Sequence, residues 1–208
     1  VRHGRTDWNR TGRWHGQADV PLDRLGVRQA HGLADLVGRL RPDAVVTSPL
    51  RRARSTATIL TGVLDRRVTL GSDERLKEVH VGDWEGLLDA EVSDRDPGFL
   101  ARRGEDRRFS DTGERPSECG ARVAAALRDI AAAQAGRTVV VVSHAYAIRA
   151  AVGALLGWDL RTTESLAGLF NCAYAELRAW PDDVWRLVAW NVEHPGVPCQ
   201  RDGEVLVV

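Results

Sequence analysis

Three short groups in this chain place arginine or histidine where a strand would end; the last two also open a helix, and of the first strand only Val1 is present. They are Arg2-His3-Gly4, Ser48-Pro49-Leu50-Arg51-Arg52 and Ser143-His144. A helix N-terminus presents unpaired amide N–H groups and the positive end of its dipole. An arginine adds a planar fork that grips two oxygens of one phosphate. An imidazole among such groups can attack phosphorus when it is neutral and in the correct tautomer. Neighbouring arginines favour the neutral form, because a nearby positive charge lowers a histidine pKa. The chemistry these residues suit is therefore the binding and transfer of a phosphate group.

The elements that would carry them follow from patterning. Residues 43–48 (DAVVTS) read as a buried strand, and Ser48-Pro49 reads as an N-cap followed by proline at the first helical position, opening a helix to about Leu64. Residues 138–143 (TVVVVS) form a continuous apolar run of the kind found in a parallel, doubly covered sheet. A helix over 145–156 follows, ended by Gly157. Leu25, Leu33, Leu36, Val37 and Leu40 recur at mainly helical spacing over 23–40, with Asp23 placed as the cap. Val123, Leu127 and Ile130 predict another helix over 119–134. Segments 172–180 and 184–191 read as strands, joined by the turn chemistry of Pro181-Asp182-Asp183. The fold class predicted is α/β, with a mostly parallel central sheet, helices on both faces and an antiparallel pair near the C-terminus. In such a sheet the ligand crevice lies beyond the carboxyl ends of the strands, where the three groups fall. Residues 89–116 are polar, arginine-rich and aperiodic, and predict a lid-like insertion in a single domain covering 1–208.

Composition narrows the function classes. The 208 residues carry 29 basic and 29 acidic side chains, so the net charge is zero and gives no general footprint for nucleic acid or acidic membranes. No apolar stretch approaches the roughly 20 residues that span a bilayer. Cys119, Cys172 and Cys199 are scattered and odd in number, which favours reduced thiols and predicts a cytoplasmic home. The six histidines form neither an HExxH motif nor a Cys/His cluster, so no metal is predicted. The chain has no methionine and starts at Val1; we expect residues to precede Val1 and the first strand to be cut short.

Taken together, the motifs resemble the histidine phosphatase superfamily, the phosphoglycerate-mutase-like fold. The resemblance runs along nearly the whole chain: RHGxTxxN at 2–9, Asp19-x-Pro21-Leu22 with Gly26-x-x-Gln29-Ala30, SPLxRAxxTA at 48–57, LKEVHVGDWEG at 76–86 and SHA at 143–145. It implies that His3 is the nucleophile that becomes phosphohistidine. Arg2, Arg52 and His144 would line the phosphate pocket and stabilise charge on the transferring group. Glu78 would give a proton to the leaving oxygen and then activate water, and Asn9 and Gln17 would border the substrate. No metal and no cofactor are implied. The partner would be a small phosphomonoester, with no nucleic acid and no membrane; a homodimer is left open.

The segment LKEVHVGDWEG and the short chain resemble the phosphatase branch rather than the mutases. The run ExHxGDWxGL and the WRLxxWN ending resemble phosphatases of sugar phosphoglycerates, a substrate class that stands beside those of a broad phosphomonoesterase and an α-ribazole-phosphate type phosphatase. Mutase-type transfer and a silent phospho-ligand binder are the alternatives. Three positions depart from the family pattern: Arg5 where an acidic residue is usual, His15 in place of a frequent glutamine, and Arg115 after Thr112-Gly113-Glu114. His31, His80 and His194 read as surface or packing residues, and Trp158, Trp180, Trp185 and Trp190 as packing.

Overall fold

A computed structural model of the chain describes residues 1–64, 68–102, 104–193 and 195. Its centre is a parallel sheet. Strand β1 (Ala44–Thr47) lies between β2 (Thr69–Ser72) and β3 (Val139–Val142), with Val45 opposite both Leu70 and Val140. Residues 1–3 extend the ladder beyond β3. Ser143 N–H donates to Val1 O (2.9 Å) and His3 N–H to Ser143 O (3.0 Å), while the other edge of this segment pairs with the backbone of Cys172 and Ala173.

The valine runs alternate between two cores, as the period of a strand requires. Val45, Val140 and Val142 pack on one face against Leu33 and Val37 of α2 (Arg24–Leu40) and Ala57 and Leu60 of α3 (Arg51–Gly62). Val46 and Val141 pack on the other, against Val123 and Ala126 of α5 (Pro116–Ala133) and Ala147 and Ala151 of α6 (Ala145–Leu156). The sheet is thus covered on both sides, which is why its strands lack polar alternation. Strands β4 (Tyr174–Trp180) and β5 (Val184–Val192) form a separate antiparallel pair. The short helices α1 (Asp7–Thr11), α4 (Asp89–Arg95) and α7 (Leu160–Glu164) complete the order.

The caps at Asp23 and Gly157 act as their sequence positions require: Asp23 Oδ1 accepts the Gly26 amide at 2.7 Å, and Gly157 adopts the left-handed conformation. Two helix starts differ from expectation. Helix α3 begins at Arg51 and not at Pro49, because the Ser48 hydroxyl is 2.8 Å from His144 Nε2 and the Arg51 amide is capped instead by Asp19 Oδ1 at 2.7 Å. Helix α5 begins at Pro116, three residues early, with the Arg115 amide bonded to Glu118 Oε2 at 2.9 Å. Strand β2, α1 and α7 carry too few residues for a periodic signal, and β2 is an edge strand with Leu70 exposed. His194 and Cys199 lie outside the described residues. Among the described residues no helix is long and apolar enough to cross a membrane.

Candidate active site

Four parallel segments end on the same side of the sheet. The segment 1–2 delivers His3, β1 leads through Ser48 to Arg52, β2 leads to Glu78, and β3 leads through Ser143 to His144. Close backbone approach sets the first of these. A Cβ on Gly4 would stand 2.4 Å from Gly26 O, and one on Gly26 would stand 2.0 Å from Arg5 O. Only glycine at both positions lets the His3 loop lie against the first turn of α2.

His3 is 3% exposed, and its Nδ1 is 2.7 Å from the Gly4 carbonyl. A carbonyl can only accept, so Nδ1 carries the proton and Nε2 keeps its lone pair. Burial first, then the charges of Arg52, His144 and Arg2, hold the His3 pKa well below 6.5. His144 is fully buried, with its ring centroid 5.1 Å from that of His3. Arg52 Nε donates to His144 Nδ1 (3.2 Å), so the His144 proton sits on Nε2 and is donated to Ser48 Oγ. Its pKa too is pushed well down, chiefly by burial and then by Arg52.

Glu78 approaches from the opposite wall. Its Oε1 accepts the amides of Ala147 (2.9 Å) and Val79 (3.0 Å), and Oε2 that of Tyr146 (3.3 Å). Those contacts seat the carboxyl on the first turn of α6. Between His3 and Glu78 opens a cavity of 1120 Å³, which Arg2, Asn9, His15 and Tyr146 also line.

The family model described as the histidine phosphatase superfamily, branch 1, matches residues 1–193. The chain belongs to that superfamily. It is 32% identical, over 92% of each chain, to the glucosyl-3-phosphoglycerate phosphatase of Mycolicibacterium vanbaalenii. It is also 32% identical to a probable phosphoglycerate mutase of Enterobacter sp. (strain 638), over 99% of this chain and 95% of that one. A solved mycobacterial glucosyl-3-phosphoglycerate phosphatase in complex with VO3 superposes with a TM-score of 0.86 at 33% identity, covering 92% of this chain and 97% of that one. The protein is a phosphatase of this superfamily.

The site of this histidine phosphatase differs in detail from the sequence expectation. Arg52, His144 and Gln17 do not line the cavity. Arg52, fully buried, turns its terminal nitrogens to the carbonyls of Ala18 (2.6 Å) and Gly16 (2.9 Å), and so ties the 16–18 loop to α3. Burial lowers its pKa to about 10, which still leaves it cationic at neutral pH. Gln17 donates through Nε2 to the Glu78 carbonyl at 3.1 Å, touching the backbone of Glu78 and not the cavity. Arg2 and Asn9 do line it; Arg2 donates to Leu169 O, and Asn9 Oδ1 accepts from Asn171 Nδ2 at 3.2 Å.

The departures from the family pattern acquire places. Arg5 Nε pairs with Asp23 at 2.7 Å, outside the cavity lining. His15 lines the cavity, its Nε2 2.6 Å from Thr6 Oγ1 and its ring edge-on to Trp8. Burial, then Arg52 and Arg2, lowers its pKa to about 3. Arg115 reaches the cavity wall from the α5 N-cap. Residues of the 89–116 segment, among them Arg95, Phe99, Arg107 and Phe109, supply that wall. Sequence reading missed Tyr146, Arg149 and Glu164 there; a helical offset of three from Tyr146 to Arg149 was the available signal.

Proposed function

We propose that this phosphatase hydrolyses a small phosphomonoester through a phosphohistidine on His3, without a metal ion, and that a sugar phosphoglycerate such as glucosyl-3-phosphoglycerate is its substrate. The observation that carries the reading is the state of His3: neutral, buried at the cavity, with its proton held on Nδ1 by the Gly4 carbonyl. In the first step the Nε2 lone pair attacks phosphorus and the bond from phosphorus to the leaving oxygen breaks. Glu78, protonated at that stage, gives its proton to the departing oxygen. In the second step the Glu78 carboxylate takes a proton from water as the water oxygen attacks phosphorus. The P–Nε2 bond breaks, neutral His3 returns, and inorganic phosphate leaves. The cations Arg2 and Arg52 oppose the charge that builds on the transferring group. For a phosphate oxygen to reach Arg52 or His144, the bonds to Gly16 O, Ala18 O or Ser48 Oγ must be exchanged.

The substrate class rests on the relatives named above and on the cavity itself. A volume of 1120 Å³ holds far more than a phosphate. Its wall joins aromatic rings, with Trp84 and Phe99 4.8 Å apart and Phe109 edge-on to Tyr146 at 5.0 Å, to arginines and carboxylates. Rings suit the C–H face of a sugar, while the charged groups suit hydroxyls and a glycerate carboxylate.

The test is hydrolysis of p-nitrophenyl phosphate and of glucosyl-3-phosphoglycerate in EDTA, by wild type and His3→Ala. We expect EDTA-resistant turnover that falls at least about 10³-fold in the variant, the scale on which removing an active-site nucleophile acts. Retained activity in His3→Ala removes the nucleophile assignment. Conversion of 3-phosphoglycerate to its isomer with little phosphate release would favour mutase-type transfer.

A further inference from the structure

Outside the cavity, a half-buried ion pair takes hold of the chain on both sides of Glu78. Arg122 projects from α5, and Glu114 stands in the loop before that helix; the side chains are 22% and 14% exposed. The guanidinium donates to Glu114 Oε1 (2.7 Å) and Oε2 (2.8 Å) in the bidentate manner that only arginine offers. Its other N–H groups go to three backbone carbonyls in the segment leading into the acid: Arg75 O (2.7 Å), Lys77 O (2.8 Å) and Glu78 O (2.8 Å). Glu114 completes the grip from the far side. Its Oε2 accepts the His80 amide (3.1 Å), and its own amide donates to His80 O (2.7 Å).

This segment is irregular, and no sheet ladder holds it. The chain leaves β2 at Ser72, makes a single 3-10 turn over Glu74–Leu76 and then continues without regular structure to the next such turn at Gly82–Trp84. Without the pair, the carbonyls of residues 75 and 77 would lose their fixed partner, and that of residue 78 would keep only Gln17. The Gln17 bond, the α6 amides, the Ser143 hydroxyl on Leu76 O and the buried side chains of Leu76 and Val79 would remain, but none of them holds the carbonyls of residues 75 and 77. A one-ångström misplacement is enough to remove much of a proton donor's effect. We infer that Glu114 and Arg122 are positioning residues, which set the Glu78 carboxyl at the height of the leaving oxygen. This inference rests on the proton-donor reading of Glu78.

A positioning role and a merely stabilising one make different demands on the leaving group. The p-nitrophenolate ion departs without a proton, whereas an alkoxide needs one. Phosphoenzyme formation in a single turnover is therefore measured with p-nitrophenyl phosphate and with glycerol 3-phosphate, for wild type, Glu78→Gln, Arg122→Lys and Glu114→Gln. General-acid catalysis is worth about 10² to 10⁴ in rate. We expect Arg122→Lys, which cannot span three carbonyls and a carboxylate, to lose at least about tenfold more on the alkyl ester than on the aryl ester. Glu114→Gln should shift the same ratio less, and it serves alone if Arg122→Lys does not fold. Equal losses on both esters, or an unchanged ratio, would overturn the inference while Glu78→Gln still shows the selective loss. If Glu78→Gln itself loses equally on both, the proton-donor reading fails first.

Discussion

At the scale of single residues, the site turns on keeping imidazoles uncharged in a cationic neighbourhood. His3 gives its proton to Gly4 O, and His144 takes a hydrogen bond from Arg52 on the nitrogen that protonation would need. The folded pKa of His3 is depressed, so its imidazole stays neutral as pH falls below 6.5, as the proposed nucleophile must. We expect phosphoenzyme formation at pH 5.5 to keep most of its pH 7 rate once substrate ionisation is allowed for. A normal imidazole of pKa 6.5 would by then be about nine-tenths protonated. A rapid-quench rate that titrates near 6.5 would contradict this. His3, Arg2 and Asn9 were singled out because they fall in one short run, RHGxTxxN, although their partners Leu169 and Asn171 lie more than 160 residues away. Glu78 was legible by its motif, whereas Arg122 was not, since its meaning comes from carbonyls 44 to 47 residues away in sequence.

At the scale of elements, the two-sided valine strands, the Asp23 cap and the Gly157 stop could be read directly, because each is a local rule acting without a competitor. The Ser48 cap failed where a tertiary partner took its hydroxyl. Strand β2 could not be read, since four residues on an exposed edge need no apolar pattern. The Gly4–Gly26 contact shows an element and a site motif sharing one constraint. A methyl on Gly26 would meet Arg5 O at 2.0 Å, and that oxygen belongs to backbone that cannot turn aside. Moving it would also disturb the Arg5 amide on Gln29 Oε1 and the bond from Asp23 N–H to Arg5 O. Gly26→Ala should therefore destabilise the fold by about 2 kcal/mol or more, at the upper end of overpacking costs, although alanine favours the helix. Thermal and urea denaturation check this; a variant as stable as wild type would mean that α2 can slide away from the His3 loop.

At the scale of the whole molecule, zero net charge conceals a local imbalance. His3, His15 and His144 lie around Arg2 and Arg52, with ring centroids 6.3 Å apart for His3 and His15. All three imidazoles have folded pKa values below the unfolded value of about 6.5, His15 at about 3. Above pH 6.5 both states hold them neutral, so they do not make stability depend on pH. Below it the unfolded chain binds protons that the folded chain refuses, and unfolding becomes easier as pH falls. The loss continues until pH reaches the folded values. His15, held at about 3, costs about 2 kcal/mol by pH 5, a large share of a typical domain's 5–15 kcal/mol, and His3 and His144 add losses of the same sign. The aspartates held low by their partners, Asp73 among them, add a loss of the same sign only as pH falls into and below the ordinary carboxylate range. The urea midpoint should therefore fall steeply between pH 6.5 and 5, well above the range where carboxylates titrate. His15→Gln should reduce that slope by about one proton, or about 1.4 kcal/mol per pH unit. A midpoint that stays level down to pH 5 would mean that the cluster accepts protons in the folded state. It would then place a charged His3 at the cavity, and a charged imidazole has no lone pair with which to attack phosphorus.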